Sequence, residues 1–125
     1  MKEYHLDFVD FQHHESGVLE VIVHQGVEIT SEQAHQFLDT IAAIEPKVRG
    51  VLVNRKNPYS YTFKANVVLA ASNTVEHVAV VKYSRLPWPL NGIMFPKFYR
   101  LAFFDNYDEA YDWLLAKLEE TEEDA

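Results

Sequence analysis

At 125 residues and 48% apolar content, the chain suits one domain that buries roughly two-thirds of its unfolded surface, with no cofactor or covalent staple needed. A net charge of −8 argues against a nucleic-acid partner, and the lack of cysteine excludes disulfides, zinc–thiolate sites and a thiol nucleophile. No apolar run approaches the roughly 18 residues of a membrane span, and MKEYHLDF lacks a signal peptide's apolar core, so a cytoplasmic location is expected.

Residues 4–11, YHLDFVDF, mix polar and apolar side chains as an edge strand does, and Glu15-Ser16-Gly17 forms a turn. The β-branched run Val18 to Val23 then returns beside it as the second strand of an antiparallel hairpin. Thr30 and Gln33 are spaced as a capping box, with Ile29 placed to staple onto Ala34. The stripe Ala34, Phe37, Leu38, Ile41 predicts a helix ending at Glu45-Pro46. Val51-Leu52-Val53 is a third strand, followed by a polar loop over 54–61. A second helix over 63–72 is predicted to turn Phe63, Val67 and Ala70 or Ala71 inward.

Val78 to Val81 and Leu101 to Phe104 are continuous apolar runs, as in parallel strands buried on both faces. Between them, 84–98 holds three prolines and a glycine yet is too apolar for a solvated loop. Asn106 and Glu109 mark the start of a closing helix that buries Ala110, Trp113, Leu114 and Leu118, with Tyr107 and Tyr111 flanking. The expected architecture is one α/β domain over 1–118: a mixed, mostly parallel sheet of about five strands, an N-terminal antiparallel hairpin and covering helices. Residues 119–125 read as an acidic tail.

Candidate chemistry is sparse. Adjacent His13 and His14 point to opposite faces of a strand, and His35 with Asp39 lacks a completing ligand, so no metal site is expected. His24 facing Asp7 across the hairpin is the best-placed histidine–carboxylate pair. No glycine-rich phosphate loop and no GxSxG elbow are present, so neither a cofactor nor a catalytic residue is assigned. Topology places Asn54-Arg55-Lys56, Ser84-Arg85 and Asp105-Asn106 at the carboxyl ends of the parallel strands, where open α/β sheets bind ligands. Arg55 and Arg85 are candidate anion receivers, Asp105 a positioning group, and Tyr59, Tyr61 and Trp88 candidate walls. The 84–98 loop, with Trp88, Met94 and Phe95, is a candidate homodimer contact; a lid over an apolar ligand, or packing on its own core, are the other readings.

The hairpin, ITSEQAHQFLDTI, VEHVAVVKY and the closing FFDNYDEAYDWLL together resemble the SpoIIAA-like fold of the STAS domains, the anti-sigma factor antagonist and sulfate-transporter group. The resemblance covers nearly the whole chain and is greatest to small stand-alone bacterial proteins described as SpoIIAA-like or STAS/SEC14-domain proteins of unknown function. It implies a non-enzymatic regulatory or protein-interaction module. Its SEC14 side implies, as the alternative, a carrier of a small apolar or lipid-like ligand. An anti-sigma factor antagonist carries an Asp-Ser-Ser-Gly-like phosphorylation loop at the start of its second helix. Here that segment is Tyr61-Thr62-Phe63-Lys64-Ala65, where Ser60 or Thr62 would have to substitute, so no phosphorylation site is carried over.

Overall fold

The computed structural model describes residues 1–72, 75–83 and 101–124; the apolar stretch 84–98 lies outside them. The N-terminal region forms three antiparallel strands where two were expected. Lys2–His5 (β1) turns at Asp7-Phe8 into Val9–His13 (β2), and the Leu6 amide donates to the Val9 carbonyl at 2.9 Å. Residues 4–11 divide there because Phe8 goes into the core while Asp7 stays exposed in the turn.

β2 pairs with Val18–Val23 (β3) in a register running from Val9 opposite Val23 to His13 opposite Leu19. His24 therefore lies beside Phe8, to whose carbonyl its amide donates at 2.9 Å, and not opposite Asp7 as expected. The turn residue Gly17 has φ of +95°, and a Cβ there would come within 2.6 Å of the Arg49 side chain. Glycine is required at this point on both counts.

Glu28–Ile29 (β4) leads into Ser31–Ala43 (α1), where Thr30 and Gln33 form the reciprocal capping box that their spacing predicts. Gly50–Arg55 (β5) then runs parallel to β3. The expected loop over 54–61 contains a further short strand, Ser60–Tyr61 (β6), paired in parallel with β4. This pairing sets two helix starts side by side, because Thr62 caps Phe63–Ala71 (α2) as Thr30 caps α1. α2 is rotated from expectation. It buries Ala65 and Asn66, while Phe63 and Val67 face solvent at 70% and 41% exposure. With apolar residues on nearly every side of FKANVVLAA, periodicity could not choose the inward face.

Val78–Lys82 (β7) and Leu101–Phe104 (β8) complete a parallel run, and Tyr107–Asp124 (α3) closes the described chain. Among the described residues the main sheet has six strands in the order β1-β2-β3-β5-β7-β8. β8 ends that order among the described residues, and Phe103 on it is exposed, so the strand is not buried on both faces as expected. α3 continues to Asp124, through the acidic residues that follow Leu118.

The sheet separates two apolar clusters. α1 and α2 cover one face, around Phe11, Val21, Ala34, Ile41 and Val51. α3 covers part of the other, where Ala110, Leu114 and Leu118 meet Val18, Leu52, Ala79 and Val81. Gly50 permits this approach, since a Cβ there would lie 3.3 Å from Leu114.

Candidate functional site

The predicted strand-end residues fall into two groups. Arg55, Tyr59 and Tyr61 are brought together: the Arg55 guanidinium donates to the Tyr59 carbonyl at 2.9 Å and lies 4.2 Å from the centre of its ring. The two tyrosine hydroxyls are 3.0 Å apart, and burial pushes both phenols above their ordinary pKa. This cluster braces the turn after β5, and the Arg55 charge is directed at Tyr59. Asp105 is exposed between β8 and α3, two strands away, and no hydrogen bond or ion pair joins it to Arg55 among the described residues. Ser84, Arg85, Trp88, Met94 and Phe95 lie outside the described residues.

A polar centre that the sequence reading passed over sits on the α3 side of the sheet. Glu20, in the middle of β3, is 6% exposed. Its Oε1 accepts from the Tyr107 hydroxyl at 2.6 Å and lies 3.4 Å from His14 Nε2, while Oε2 accepts from Asn54 Nδ2 at 3.1 Å. Burial, then the bond to Glu20, then the carboxylate charge push the Tyr107 phenol well above its ordinary pKa, so it remains a protonated donor. Tyr111 stacks on Tyr107 and bonds the Ser16 hydroxyl at 2.7 Å. The carboxylate ties β3, β5 and the first turn of α3 together, with both oxygens occupied. The available signal was one acidic residue inside VLEVIV, which must find donors if the strand is central.

On the same face, nearer the β1 edge, Asp10 receives two imidazoles. His5 Nδ1 lies 2.8 Å from Oδ1 and His24 Nε2 3.1 Å from Oδ2. The hydrogen bond with Asp10 raises the His5 pKa, and its counterpart lowers that of Asp10. Among the described residues no group of three or more His, Asp or Glu is arranged to hold a metal ion. His24 does pair with a carboxylate, but with Asp10 and not Asp7, because the hairpin register differs by one residue from expectation.

At the start of α2 the Thr62 hydroxyl accepts from the Ala65 amide at 3.1 Å as a helix cap. No helix among the described residues is long and apolar enough to cross a membrane. No family model matches the chain, and neither the curated proteins nor the solved structures provide a match.

Proposed function

We propose that this protein is a non-enzymatic interaction module of the SpoIIAA/STAS-like kind that works as a homodimer, with the outer face of α2 in the contact. The observation that carries this reading is the exposure of Phe63 and Val67, one helical turn apart on a helix with few polar residues. Small proteins that leave large apolar side chains together on a helix face use them to associate, and a two-fold contact covers such a face with its own copy. The environment of Glu20 supports a role without turnover. A carboxylate whose two oxygens accept from a phenol and an amide, with an imidazole alongside, is held as a structural brace between strands and helix.

Sedimentation velocity over a concentration series tests the reading. Wild-type protein should sediment as a dimer, and Phe63→Asp should sediment as a monomer with an unchanged melting temperature. A wild-type monomer throughout the series, or a dimer that tolerates Phe63→Asp, would remove α2 from the account.

A further inference from the structure

A groove of about 680 Å³ runs between α1 and the edge strand β1, on the sheet face away from α3. Tyr4, Ala43 and Ile44 form its apolar part, and Glu32, His35 and Asp39 rise from α1 beside them. Strand pairing determines which backbone groups of β1 are free. The Leu6-to-Val9 bond makes those residues a hydrogen-bonded pair, and such pairs alternate along an antiparallel ladder. Tyr4 with Phe11 and Lys2 with His13 are then bonded pairs, while Glu3 and His5 turn their N–H and C=O groups away from β2. Because β1 ends the sheet order among the described residues, these four groups lie along the outer edge beside the groove.

The charges on α1 indicate what would fit. Glu32 and Asp39 are exposed and seven positions apart, a rise of about 10 Å along one helix face. In an added strand, alternate side chains would face the groove at intervals of about 7 Å. Three consecutive groove-facing positions therefore span both carboxylates, with the middle one over Tyr4. Lys2 shares the Tyr4 face and sets one end of this acidic stretch.

We propose that the groove takes an extended basic segment of a partner protein as an added strand on β1, in the pattern basic-x-apolar-x-basic. Main-chain bonds to Glu3 and His5 supply the docking. Contacts of the two basic side chains with Glu32 and Asp39, and of the apolar one with Tyr4 and Ile44, select the sequence. This site is separate from the α2 contact, so either can fail without the other.

The probe is a fluorescein-labelled peptide containing Lys-Thr-Phe-Thr-Lys, followed by anisotropy and by amide NMR shifts on the full chain. Binding should move the amides of β1 and α1. It should weaken at least tenfold with Glu32→Lys combined with Asp39→Lys. The same loss is expected for a peptide N-methylated at the amide facing β1, and for Glu3→Pro, which deletes an outward N–H and no β1–β2 bond. If Glu3→Pro fails to fold, the N-methylated peptide asks the same question of the unaltered protein. Phe63→Asp should bind the peptide as wild type does. No binding at millimolar peptide, equal binding of a peptide with both lysines replaced by glutamate, or indifference to N-methylation would each overturn the proposal.

Discussion

Glu20 places a carboxylate in a strand whose other five residues are apolar, and its cost is met by donors from two other elements. Tyr107→Phe removes the shortest of those bonds and leaves a buried carboxylate short of a donor. The change should lower stability by about 1–3 kcal/mol in urea denaturation, and an unchanged midpoint would show that Glu20 draws its solvation elsewhere. This centre was not legible because its partners, His14, Asn54 and Tyr107, are 6, 34 and 87 positions away in sequence. Register decides which of them meet. The same dependence explains why His24 finds Asp10 instead of Asp7.

The His5–Asp10 pair has a definite pH signature. His5 is raised above 6.5 chiefly by its bond to Asp10, so its contribution is complete below about 6.5 and fades as pH rises through the folded value. Asp10 is lowered below 3.8 chiefly by its bond to His5, so its contribution is complete above about 3.8 and fades as pH falls through the folded value. Both operate fully between those limits, and the gain is small because the pair is open to solvent and salt. In Asp10→Asn the NMR titration midpoint of His5 should fall; an unmoved midpoint would contradict the pairing.

At the scale of elements, the local signals read most directly. The capping box of α1 and the Asn106 cap of α3 are short-range patterns, and both helices begin where those patterns place them. Thr30→Ala should cost about 1 kcal/mol in chemical denaturation, and no loss would mean that the pairing of β4 with β6 alone sets the start of α1. Leu114→Ala removes a fully buried side chain from the seat of α3 on β5 and should cost about 2–5 kcal/mol by the same measurement. The orientation of α2 was not legible, since a helix apolar on nearly every side gives periodicity no preferred face. The split of residues 4–11 was missed for a related reason: one turn residue, Asp7, carries the break.

At the scale of the whole molecule, the alternation of strand and helix patterns after the N-terminal strands was enough to indicate a mixed, mostly parallel α/β sheet. It did not indicate what the surface is for. That question turns on which apolar residues stay outside, a property of packing between elements. Phe63 and Val67 became visible as a surface only once α1 and α2 were set side by side by the β4–β6 pairing. The absence of cysteine allows a direct test of association through that surface. In Lys64→Cys, a spin label sits on exposed α2 beside Phe63, and a two-fold contact brings facing helix axes to about 8–10 Å. A homodimer through α2 should give strong dipolar broadening between labels that disappears when the labelled protein is diluted into an excess of unlabelled wild type. Spectra without broadening at concentrations where wild-type protein is dimeric would contradict it.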